Sequence, residues 1–153
     1  CKRFHPTALQ VFDSYKGKVM WVYRHYPLGF HANAQKEAEA VECSNELGGS
    51  DTFWKYLDTL YERTSSNGTG FALDKLVPLA VELGLNETNF KECLDSGKYA
   101  EHVADDLADG GNTGINGTPF SIVIAQNGKK FPLNGAQPYL AVKALIELAR
   151  KEK

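Results

Sequence analysis

Residues 1–6 read Cys-Lys-Arg-Phe-His-Pro, and the residues after them make this short run the start of a helix. From residue 2 to residue 15 the apolar positions Phe4, Ala8, Val11, Phe12 and Tyr15 recur at helical spacing, giving one buried stripe on an amphipathic helix. Cys1 therefore stands at a helix N-terminus.

Outward from that helix, residues 18–25 (KVMWVYRH) are rich in Val and aromatics, follow Gly17 and precede Pro27, which predicts an inner strand covered on both faces. The next hundred residues read as helices. One spans 33–47 and ends at Gly48-Gly49, and another spans 51–63 before the polar, Gly-rich stretch 64–70. A helix over 74–83 should kink at Pro78, Asn86 caps one that stops near Gly97, and a last one runs over 98–108 before Gly110-Gly111.

The tail changes period. Residues 120–125 (FSIVIA) and 129–133 flank Gln126-Asn127-Gly128 as a hairpin, and residues 138–153 form a closing helix. A sheet made of a buried strand at 19–23 and a terminal hairpin calls for a further strand, which would have to precede Cys1. Residues 1–153 alone would leave apolar ladder edges exposed and are expected to be unstable.

A chain of 153 residues with 42% hydrophobic and 24% charged side chains has the make-up of one globular domain. The formal charge of −2, from 17 basic and 19 acidic residues spread along the chain, offers no basic stripe for a phosphate backbone, so nucleic acid is not an expected partner. No apolar run approaches the ~20 residues needed to span a bilayer. A signal peptide would lie upstream of residue 1.

Three cysteines, Cys1, Cys43 and Cys93, make an odd count. His5 lies one helical turn from Cys1, yet no further ligand pair such as C-x-x-C accompanies them, and neither a metal nor a cofactor is expected. His25, His31 and His102 are scattered, and no nucleophile elbow or phosphate-binding loop is present. Asn67-Gly-Thr69, Asn86-Glu-Thr88 and Asn116-Gly-Thr118 match the glycosylation pattern but fall where turns or helix caps favour Asn.

CKRFHP resembles the active-site helix of thioredoxin-fold proteins, with Cys1 as the second cysteine of a Cys-x-x-Cys motif. The RHYPL run at 24–28, the Ala-rich helix carrying Cys43, FKECLDSGKY at 90–99 and GINGTPF at 114–120 resemble the DsbA-like branch in particular. The resemblance implies an α/β thioredoxin fold with a helical insertion, a single domain over 1–153 whose N-terminal strand is missing. In it, 1–28 form the active-site helix and inner strand, 31–110 the insertion, and 114–153 the cis-proline loop, hairpin and closing helix.

The same resemblance implies a protein thiol-disulfide oxidoreductase that forms disulfides in exported proteins. Cys1 would be the buried resolving thiol, and Thr118 with a cis Pro119 would shape the groove for extended peptides. Cys43 and Cys93 would form a second, structural disulfide worth roughly 4 kcal/mol in the chain-entropy model, the alternative being two buried, inert thiols. Expected partners are unfolded cysteine-containing polypeptides and a membrane or soluble redox partner. The expected setting is extracytoplasmic, as a monomer, with room for a membrane anchor in a segment before residue 1.

Two other functions fit less well. A thioredoxin-fold body with one active-site cysteine would be a peptide-binding module or an inactive fragment. The kappa-class glutathione transferases share a comparable helical insertion but use a serine-type site, against which CKRFHP argues.

Overall fold

The Cys1 carbonyl accepts from the Phe4 and His5 N–H groups at 2.8 and 3.0 Å, and that turn leads into α1, His5–Ser14. Pro6 sits in the first turn of α1, where its missing N–H would have had no partner inside the helix. In the computed structural model residues 1–152 are described. They pack as two compact units, Cys1–Tyr23 with the tail from Ile115, and Arg24–Gly114.

The first unit combines α1 with β1, Phe120–Ile124, β2, Lys130–Asn134, and a closing helix described below. The two strands pair antiparallel, with Phe120 opposite Asn134 and Ile122 opposite Pro132. Pro132 cannot donate to a ladder, which suits a strand with one neighbour. At the turn Gly128 has φ +85°, a region glycine enters without steric cost, and the Asn127 Oδ1 accepts from the Lys129 N–H at 3.0 Å. The α1 stripe of Phe4, Ala8, Val11 and Tyr15 forms the core with Leu133, Val142 and Ile146, and Val19, Trp21 and Val123 pack against it.

The expected inner strand over 18–25 is not formed. Burial alternates there, Val19 and Trp21 turning inward while Met20 and Val22 are 87% and 64% exposed, so the stretch is extended but covered on one face only. A strand requires ladder hydrogen bonds, and among the described residues β1 pairs with β2 alone.

The second unit is helical. α2, Ala34–Arg63, is interrupted at Gly49, φ +74°, ψ −176°, so the two helices expected on either side of Gly48-Gly49 are both formed and meet there at a kink. A 3-10 turn, Leu73–Lys75, precedes α3, Leu76–Glu82. Pro78 makes no mid-helix kink, because the α-helix starts at Leu76 and places it in the first turn, where no intrahelical donor is lost.

α4, Glu87–Ser96, is capped by Asn86, whose Oδ1 accepts from the Asn89 N–H at 3.0 Å, and ends at Gly97 in the left-handed region at φ +64°. α5, Ala100–Asn112, runs through Gly110-Gly111, where the sequence suggested a stop. Tyr56 and Phe90 fill the core of this unit with ring centroids 5.6 Å apart, and the buried Tyr56 hydroxyl donates to the Leu76 carbonyl at 2.8 Å. The chain closes with α6, Tyr139–Ala149, in the first unit. Lys153, the end of the closing helix expected from sequence, lies outside the described residues.

Candidate active site

Cys1 is the free cysteine among the described residues, and it is exposed. The expectation of a buried resolving thiol is corrected by this placement. What buries α1 is the stripe that begins at Phe4, and Cys1 lies in the turn ahead of it. Lys2 and Arg3 beside it are exposed as well.

The Thr118–Pro119 peptide is cis. The Pro119 carbonyl accepts from the Gly135 N–H at 3.0 Å, while the strand ladder begins only at Phe120 opposite Asn134. Thr118 is thus half-buried, with its backbone outside the pairing of the hairpin. Cys1, Thr118 and Pro119 all belong to the first unit.

Cys43 and Cys93 belong to the other unit and are joined as a disulfide between α2 and α4, with Cα atoms 5.9 Å apart. The bridge spans 50 residues of sequence. The reading of Cys43 and Cys93 as inert thiols does not hold.

Sequence reasoning missed the polar network in the helical unit. The His25 Nε2 lies 2.8 Å from the Glu42 Oε1, and the His102 Nε2 is 3.7 Å from the same oxygen. Asp106, also buried, accepts from the Arg24 Nη1 at 2.5 Å and from the His25 N–H at 2.9 Å. Glu39 receives the Lys36 ammonium at 2.6 Å and the Gln35 amide at 3.1 Å.

One signal was available: Glu39 and Glu42 interrupt the otherwise apolar run from Ala38 to Cys43, and buried carboxylates require partners. The structure thus brings together His25 and His102, which the sequence left scattered. Among the described residues no group of three or more His, Cys, Asp or Glu side chains is arranged to hold a metal ion.

A cysteine in the turn that opens a helix, a cis-proline ahead of a hairpin and a helical unit between them in sequence make a thioredoxin fold with a helical insertion. The thioredoxin family model matches residues 1–147, and the chain belongs to that family. DsbA2 of Pseudomonas aeruginosa, known from its crystal structure, shares this fold with a TM-score of 0.79 over 99% of this chain and 82% of that one, at 24% identity.

By sequence the chain is 30% identical over 133 residues to the Na(+)/H(+) antiporter NhaA of Herminiimonas arsenicoxydans, a match that covers 87% of this chain. It is also 29% identical over 131 residues to NhaA 3 of Salinispora tropica, covering 85% of this chain. It spans only 19% and 18% of the length of those two proteins. No described helix is long and apolar enough to cross a membrane.

Proposed function

We propose that this domain is a protein thiol-disulfide oxidoreductase that forms disulfides in exported proteins by dithiol exchange, with Cys1 as one of its two exchanging thiols. The observation that carries the reading is the exposed, unbridged Cys1 in the turn that opens α1, within the unit that also holds the cis Thr118–Pro119 peptide. The donor N–H groups at the head of a helix favour a thiolate.

In the proposed cycle a client thiolate attacks an oxidised active-site disulfide that includes Cys1, and the Cys1 sulfur leaves with the electron pair of the broken bond. A second client thiolate then attacks the mixed disulfide, releasing an oxidised client and a reduced domain. A redox partner takes the two electrons and restores the bridge. Thr118 and Pro119 hold the client as an extended segment beside the thiols, using backbone outside the hairpin ladder.

Clients are unfolded, cysteine-containing polypeptides. The setting is extracytoplasmic, where thiols are not held reduced, and the Cys43–Cys93 bridge supports such a setting. The match to about a fifth of the antiporters lends no transport activity to this domain.

The test is oxidation of a reduced dithiol peptide by the full-length protein that carries this chain. Cys1→Ser is expected to abolish turnover, because a lone active-site thiol has no disulfide to pass to the peptide. Unchanged turnover in Cys1→Ser would overturn the proposal. Peptide capture without turnover, in a full-length protein with no second active-site cysteine, would favour the binding-module reading, which the presence of one free cysteine here keeps in view.

A further inference from the structure

The Cys43–Cys93 bridge is not equally covered on its two sides. Cys43 is 1% exposed, whereas Cys93 is 8% exposed and lines a surface cavity of about 360 Å³ together with Glu46, Asn89, Glu92, Ser96 and Lys98. Cys43 is not among the residues that line that cavity.

A thiolate attacks a disulfide in line with the S–S bond, so the open side determines which sulfur can be reached. The Cys93 Sγ lies 3.7 Å from the Glu46 Oε2, and a disulfide sulfur has no proton to donate there, so the carboxylate stands guard over the sulfur rather than bonding to it. Glu46 is held in place by the Lys98 ammonium at 2.7 Å and the Tyr99 hydroxyl at 2.9 Å. Those hydrogen bonds from Lys98 and Tyr99 hold its carboxyl below the usual range, so it is ionised at neutral pH.

We propose that Cys43–Cys93 is a second thiol-addressable disulfide, entered at Cys93 through this cavity, and that Glu46 makes it select small thiols by charge, favouring aminothiols over anionic ones. In the step, the thiolate of a small-molecule thiol bonds to the Cys93 Sγ and the S–S bond breaks. Its electron pair goes to the Cys43 Sγ, which takes up a proton in its buried setting. The product is a mixed disulfide on Cys93 and a free thiol at Cys43, and a second thiolate can then release Cys93 in reduced form.

The rim carries two acidic groups, Glu46 and Glu92, against one basic group, Lys98. An incoming thiolate with a second negative charge meets this field at a disadvantage, and one that carries an ammonium group does not. The bridge is separate from Cys1, so the proposal stands whether or not the domain is an oxidoreductase.

The test follows opening of the bridge in the native protein by cysteamine, 2-mercaptoethanol and glutathione at equal thiolate concentration, with peptide mass mapping to read Cys43, Cys93 and Cys1 separately. The expected order is cysteamine fastest and glutathione slowest, with the adduct on Cys93. Glu46→Gln should narrow the cysteamine-to-glutathione ratio by roughly fivefold, the Coulomb factor for unit charges ~4 Å apart in water. Lys98→Gln should widen it and high salt should narrow it.

The difference in size between the thiols cancels when a variant's ratio is divided by the parent's. Ratios unchanged in both variants, an adduct on Cys43, or a bridge that opens only in denaturant would each overturn the proposal.

Discussion

The Tyr15 hydroxyl, at the end of α1, donates to the Glu147 carboxylate of α6 at 2.6 Å, tying together the two helices that enclose the core of the first unit. Burial first, and then the bond to Glu147, push the Tyr15 phenol from its ordinary 10.0 up to about 12. A group whose folded-state value is raised contributes stability that is fully present below its unfolded value and is lost as pH climbs through the folded one. Thermal stability should therefore fall between pH 10 and about 12. Tyr15→Phe should be slightly less stable at neutral pH and should lose much of that alkaline decline, as read by melting curves across the range.

Glu37 presents the opposite problem to a salt bridge. Its carboxylate accepts from the Phe71 N–H at 2.7 Å, yet burial, the largest influence, raises its pKa above the usual 4.5. Stability on its account is present below 4.5 and declines as pH rises through the raised value. Glu37→Gln keeps an acceptor for Phe71 without a charge. Its melting temperature should match the parent in acid and exceed it at neutral pH, and equal or lower stability at neutral pH would refute this account.

Gly49 lies inside α2 at φ +74°, ψ −176°, a region open essentially to glycine alone, and a Cβ there would meet nothing within 4 Å. Gly49→Ala should therefore cost about 1–3 kcal/mol from the backbone alone. Urea unfolding with near-native spectra in the folded baseline would check it.

Removing the bridge by Cys43→Ala with Cys93→Ala should destabilise the protein by roughly 2–4 kcal/mol, because the disulfide restrains a long loop of the unfolded chain. Denaturant midpoints of this pair, set beside the oxidised parent, give the measurement, and the reduced parent serves as a control for the substitutions themselves. A loss well under that range would mean that residual structure already restrains the unfolded chain without the bridge.

Where the sequence was legible, the information was local. The α1 stripe, the Asn86 cap with its Gly97 stop and the Asn127-Gly128 turn each depend on residues within a few positions of one another. The stretch 18–25 was misread because a strand is a relation between segments. Val and aromatic content specifies an extended chain, and only a partner supplies the ladder. Pro78 was misread through a boundary of two residues, since its effect depends on whether it falls in the first turn.

For the candidate site, Cys1, Pro119 and the disulfide pair were nameable only through the resemblance to the DsbA-like branch. The exposure of Cys1 and the meeting of His25 with Glu42 depended on packing that no local pattern encodes.

Arg24 and His25, the first residues of the helical unit, are both bonded to Asp106, in the helix with which that unit ends. Its entry and exit are thus stitched together at the root, like a pouch drawn shut by one cord. A segment with neighbouring ends can be lengthened, shortened or exchanged within a host fold without pulling the host's own elements apart. On this view Asp106 is the knot that lets the helical unit vary as an independent graft, and the variety of such grafts a thioredoxin core accepts should be limited by whether each can tie one.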